Sequence, residues 1–175
     1  MIVPFLLALC LLAAPWRAEA QVPDLPFESI PDFLALPPEM NFGEVPGVAV
    51  DSQKHVYVFT RSNSAQGPAF GPAAAQLLEF GPDGRLIREV GKGLYGWAFA
   101  HSVRIDRQDN IWAVDKGSDM IIKFNRQGRV AWVFGRRKES AEKAEPWEHV
   151  EPPLPHVDGL FRQPTDVAWD SQGNI

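Results

Sequence analysis

Cysteine is almost missing from this chain: Cys10 is the only one in 175 residues. A disulfide within the chain is therefore excluded, and so is a cysteine-built metal knot. Any fold must be held by packing alone. No apolar run reaches the roughly 20 residues that a membrane-spanning helix needs. No glycine-rich coenzyme loop leads into a helix, no nucleophile elbow is present, and nothing after the first twenty residues shows a helical apolar stripe. Positive charge is also short, with 17 Lys and Arg against 22 Asp and Glu and a net charge of −5. That balance argues against a nucleic-acid partner, which calls for a basic footprint.

What is present begins with Ile2 to Ala14, apolar except for Pro4 and Cys10, followed by Ala18-Glu19-Ala20 and Gln21. A short apolar core ahead of small residues at −1 and −3 reads as a secretory signal over residues 1–20. Its first residues carry no Lys or Arg, so an uncleaved anchor or a buried N-terminal strand is the alternative. Cleavage would remove Cys10 and leave a secreted or periplasmic product with no membrane attachment. Residues 21–44 hold Pro23, Pro26, Pro31, Pro37 and Pro38. Prolines at this density deny a helix its hydrogen bonds and keep the backbone extended. The expectation is a lead-in segment that lies along the domain surface or supplies an edge strand.

From residue 45 onward the chain reads as short strands and turns, and the order recurs. Val48-Ala49-Val50-Asp51 matches Val103-Arg104-Ile105-Asp106 and Val167-Ala168-Trp169-Asp170. A polar turn follows each, and then an apolar position: Val56, Ile111 and Ile175. The second halves match too, Leu78-Glu79-Phe80-Gly81-Pro82-Asp83-Gly84 with Ile122-Lys123-Phe124-Asn125-Arg126-Gln127-Gly128. Two loops, 60–75 and 136–160, lengthen the units beyond a bare four-strand repeat. A core pattern in register with variable loops is how a repeat fold carries a binding face.

Four short strands per unit predict an all-β fold, a β-propeller, with about two and a part blades over residues 45–175. A single blade covers neither of its faces, so the expectation is a chain that is the N-terminal part of a product about twice as long, with Ile175 inside a strand. A β-sandwich of similar strand count is the alternative, against which the repeated register argues. Asp51, Asp106 and Asp170 recur in every unit, which suits turn residues capping backbone N–H groups rather than catalysts. Trp112, Trp132 and Trp169 are expected to pack between blades.

The apolar-Asp-turn-apolar unit resembles the NHL repeat. Gly47 to Asp51 with Val58-Phe59-Thr60-Arg61, Ala100-His101-Ser102-Val103-Arg104-Ile105-Asp106, and Gln163-Pro164-Thr165-Asp166-Val167-Ala168 are similar to the first three blades of the peptidyl-α-hydroxyglycine α-amidating lyases. That resemblance implies a six-bladed propeller that cleaves peptidyl-α-hydroxyglycine to a peptide amide and glyoxylate. It implies zinc on three axial histidines, of which His101 would be the first, and a structural calcium on the backbone oxygens of Val48 and Val103. Arg61 would be the arginine near the reacting group, and the substrate, a peptide or small molecule, would enter the central channel of a monomer. The family's catalytic tyrosine and other two histidines would fall beyond Ile175. Ala100 and Ser102 stand where the family tends to have Pro and Gly.

The residues themselves leave other roles open. His101 suits a zinc ligand or a hydrogen-bonded channel residue. Arg61 suits a carboxylate-binding group or a salt bridge between blades. Asp115 and Asp166 suit structural roles, and His55 a turn. Tyr95 and Trp97 could line a mouth or cover the core, and His149 and His156 sit in the proline-rich loop. A non-catalytic NHL propeller binding a peptide, glycan or protein is therefore the second functional reading. Another exported propeller enzyme, such as a lactonase or quinone-linked dehydrogenase, is the third.

Overall fold

The computed structural model describes residues 23–61, 67–69, 71, 74–139 and 151–175. The expected signal segment, half of the 60–75 loop and His149 lie outside the described residues. The chain divides at Pro31, with Asp32–Ile175 as one unit. In the other unit, described residues 23–30 form no regular element and are exposed. Among the described residues there is no helix, and so none long and apolar enough to cross a membrane.

The later unit holds eight strands: β1 (Glu44–Val50), β2 (Val56–Arg61), β3 (Gln76–Phe80), β4 (Leu86–Val90), β5 (Ala100–Ile105), β6 (Ile111–Asp115), β7 (Met120–Phe124) and β8 (Val130–Gly135). They form two antiparallel four-stranded sheets, ordered β1-β2-β3-β4 and β5-β6-β7-β8. β2, β6 and β8 are rich in β-branched and aromatic residues, which suit a half-buried pleated surface. The turns are set by residue chemistry. Asp51 Oδ1 accepts the N–H groups of Gln53 (2.9 Å) and His55 (2.8 Å), and Asp106 Oδ1 accepts those of Gln108 (2.9 Å) and Asn110 (2.8 Å). Asp170 repeats the arrangement with Gln172 and Asn174. Between the third and fourth strands, Gly84 (φ 76°) and Gly128 (φ 77°) supply the left-handed backbone that closes each turn.

The two sheets share one register. Val56 opposes Phe80 and Thr60 opposes Gln76 in the first; Ile111 opposes Phe124 and Asp115 opposes Met120 in the second. Irregularities fall at equivalent places, between Glu44 and Gly47 and between Ala100 and Ser102. The sheets stack in the same sense, one face of the first on the opposite face of the second. Tyr57, Phe59, Leu77 and Val90 meet Ala113, Ile111, Ile122 and Phe124 in one core. Where β1 meets β5 the backbones almost touch: a side chain on Gly47 would lie 2.8 Å from the Val103 nitrogen. Farther out, the rings of Phe59, Trp97 and Phe124 fill the space, with Trp97 centred 4.9 Å from Phe59 and 5.9 Å from Phe124. Aromatic fill at one side and bare backbone at the other make the interface a wedge.

The remaining faces are covered differently. On the first sheet, Val58, Leu78 and Phe80 pack under Leu34, Leu36, Met40 and Phe42 of the lead-in. On the second, Trp112, Val114 and Ile121 pack with Phe134, Val167 and Trp169. The segment 164–170 forms no regular element and is not the strand expected there. A strand is defined by its ladder, and this segment has no ladder partner among the described residues. For the same reason Ile175 lies in no strand.

Candidate functional site

The residues singled out in the sequence gather at one end of the sheets, where β1 and β5 begin and β2 and β6 finish. Glu44 opposes Arg61 there, and Ala100 opposes Asp115. The irregularity just inside each pair re-aims the side chains at the strand start, a usual service of bulges.

Arg61 is buried, with 8% of its surface exposed. Its Nε–H donates to the Ala100 carbonyl at 2.7 Å and its Nη1 to Glu44 Oε2 at 2.8 Å. The guanidinium lies over the Phe99 ring, 3.7 Å from the centroid. A buried guanidinium needs both a counter-ion and hydrogen-bond acceptors, and here Glu44 and Ala100 provide them. Arg61 therefore ties the first sheet to the backbone that leads into His101.

That backbone is fixed from the other side by Asp115, which is fully buried. Its carboxylate accepts the N–H groups of Ala98 (2.9 Å), Phe99 (3.0 Å), Gly117 (3.1 Å) and Ser118 (2.9 Å). Burial pushes the Asp115 carboxyl above the usual carboxylate range, against N–H donors that favour its charged form.

His101 is half-buried, and its Nδ1 lies 2.9 Å from the Thr165 carbonyl oxygen. A carbonyl only accepts, so Nδ1 carries the proton and the lone pair sits on Nε2. Histidines that bind metals through Nε2 have their other nitrogen held in this way. The next residues anchor the same segment. Ser102 Oγ donates to Asp166 Oδ1 at 2.9 Å, Arg104 Nε donates to that oxygen at 2.8 Å, and Arg104 Nη2 closes on Oδ2. The two-armed Arg104 contact holds the Asp166 carboxyl well below the usual range.

Val48 opposes Val58 and Val103 opposes Ala113, so the two valines occupy the same ladder position in their sheets. The Val48 side chain is 56% exposed and that of Val103 is buried. Among the described residues no three His, Cys, Asp or Glu side chains are grouped so that they could hold a metal ion. Zinc takes about three protein ligands, so the described residues would supply one of them in His101.

Other candidates fall away from this end or into the core. Trp97 is buried, its indole N–H on the Gly91 carbonyl at 2.8 Å, while Tyr95 is exposed beneath the Arg137 guanidinium. His156 is exposed and pairs with Asp158 at 2.8 Å. His55 leaves its turn to reach Glu79 Oε1 at 3.0 Å. Glu44 and Thr165, which hold Arg61 and His101, were not picked out individually as partners from the sequence. Glu44 closes a proline-rich stretch without periodicity, and a backbone carbonyl such as that of Thr165 leaves no compositional trace. No protein family's sequence profile matches this chain, and no curated protein is detectably similar to it.

Proposed function

We propose that the two sheets are blades of an NHL-type β-propeller and that the end holding Arg61 and His101 is part of a zinc-dependent site of the amidating-lyase kind. The fold part is supported by the same-sense stacking of two sheets of equal register and by their wedge-shaped interface. Sheets stacked in this way each present the next with an unfilled face, and a ring satisfies them all. The segment 164–170 supports it too, because it lies along the start of β5 and carries a third Asp turn.

One observation carries the site: the Thr165 carbonyl holds His101 in the tautomer that presents Nε2. A three-histidine zinc site would need two further ligands besides His101. Bound zinc would supply a Lewis acid for the hydroxyl of the substrate's carbinolamide centre. This chain's residues orient: Asp115 and Arg61 fix the backbone before His101, and Asp166 fixes the backbone after it. Arg61 would face a substrate carboxylate or developing negative charge. Val48 and Val103, matched in the ladder, would turn backbone oxygens to a calcium ion in the channel.

A second reading, a propeller that binds a peptide, glycan or protein without catalysis, is favoured by the state of Arg61, whose charge is already answered by Glu44. Metal analysis of the purified protein separates the two. His101→Gln should lower zinc content at least about tenfold while the fold survives. Unchanged zinc stoichiometry, or a wild-type protein that takes up no zinc, ends the lyase reading.

A further inference from the structure

The two sheets allow one face to be compared with its equivalent. Val58, Leu78 and Phe80 of the first sheet occupy the positions of Ala113, Ile122 and Phe124 in the second. In the second sheet these residues receive the first. In the first they receive Leu34, Leu36, Met40 and Phe42, with the Phe42 and Phe80 rings 5.8 Å apart. The turns agree. The second sheet's turn is gripped from the first by Arg88, which donates to the carbonyls of Arg126 and Gln127 at 2.7 Å. The first sheet's turn is gripped by the lead-in: Ala35 N–H donates to the Gly84 carbonyl at 2.9 Å, and a side chain on Gly84 would collide with the Phe33 carbonyl.

We infer that residues 33–42 act as an internal stand-in for a neighbouring sheet, and that they block the first sheet from receiving the far face of a second copy of this chain. The occupant follows from the stacking itself. The far face of the second sheet carries Trp112, Val114 and Ile121 where the first sheet carries Tyr57, Phe59 and Leu77. That face remains partly open, with Trp132 on β8 49% exposed. A copy stripped of its lead-in contact therefore offers a seat, and another copy holds a face of the same order and sense. A contact of this type is heterologous and does not close on itself, so it builds chains of copies. This inference does not depend on any metal or reaction.

The test is sedimentation of the chain over a wide concentration range. Wild type should remain a monomer. Leu36→Asp with Phe42→Asp should raise the mass at least about twofold, increasing with concentration. Adding Trp132→Asp should return it to the monomer, and so should a synthetic peptide of residues 32–43. A folded double variant that stays monomeric overturns the inference. Association that survives Trp132→Asp also overturns it, since the bared face would then pair with something other than the aromatic face. Should the double variant lose its β-sheet circular dichroism, Phe42→Ala decides: a smaller concentration-dependent rise supports the stand-in, and none refutes it.

Discussion

At the same place on the fourth strand the first sheet carries Arg88 and the second carries Trp132. Arg88 crosses to the next sheet's turn and also donates to the buried carboxylate of Glu79 at 2.6 Å. Trp132 is half-exposed and leans on Trp112 and Phe134, with centroids 6.1 Å and 4.1 Å away. The neighbours at this level differ accordingly. In the first sheet Tyr57 donates to Asp51, and His55 and Arg88 share Glu79. In the second Trp112 donates its indole N–H to Asp106 at 2.9 Å, with the Lys123 ammonium over its ring. The lesson is that the backbone plan and the Asp turn are common property, while the side chains facing onward are specific to what they meet. At this position on the fourth strand, Arg88 reaches across where a sheet follows, and Trp132 lies on its own sheet's aromatic side chains where only the segment 164–170 follows.

The largest expected break in this equivalence is at Asp115 and its counterpart Thr60. Asp115 satisfies four buried N–H groups, whereas the Thr60 hydroxyl donates one bond, to the Glu44 carbonyl at 3.1 Å. Asp115→Ala should destabilise by about 4 kcal/mol and Thr60→Ala by about 1 kcal/mol, read from urea unfolding. Equal costs would mean that the two sites are structurally alike after all. Next, Arg88→Ala should cost about 2 kcal/mol, because Glu79 would stay buried with a partner removed, and Trp132→Ala less than about 1 kcal/mol. A reversed order would show that the open aromatic face matters more than the bridge. The smallest effect concerns pH. Asp166 is held below its unfolded value of about 3.9, so its contribution is present above that pH and is lost as pH falls through the depressed folded value. The carboxyl carbon of Asp166, followed by NMR on acidification, should therefore titrate well below about 3.9 and shift the Arg104 Nε resonance with it. A midpoint at the ordinary value would show that the Arg104 contact does not form in solution.

Much of the fold was legible because it is local. The hairpin of β3 and β4 was readable, since Gly81-Pro82-Asp83-Gly84 between them is a turn by its chemistry alone. The role of Asp51, Asp106 and Asp170 was readable for the same reason. β1 was not: it starts at Glu44 and runs through Pro46, which pattern reading treats as a strand breaker. Its pairing with β2 carries it past that point. The site was legible in its members but not in its contacts. Arg61 meets Glu44 and Ala100, His101 meets Thr165, and Arg104 meets Asp166. All join residues far apart in sequence, and no periodic pattern encodes such meetings.

The Asp turns have a consequence for the order of assembly. The Oδ1 of Asp51 and of Asp106 holds backbone N–H groups two and four positions ahead, so the β1–β2 and β5–β6 hairpins each hold their own starting instruction within a handful of residues. The partners of the first sheet's strands, and the stretch that shields its other side, all lie before residue 91. A ribosome would thus release the first sheet with its lead-in face already covered, and only the face of Tyr57, Phe59 and Leu77 would wait bare for the second half.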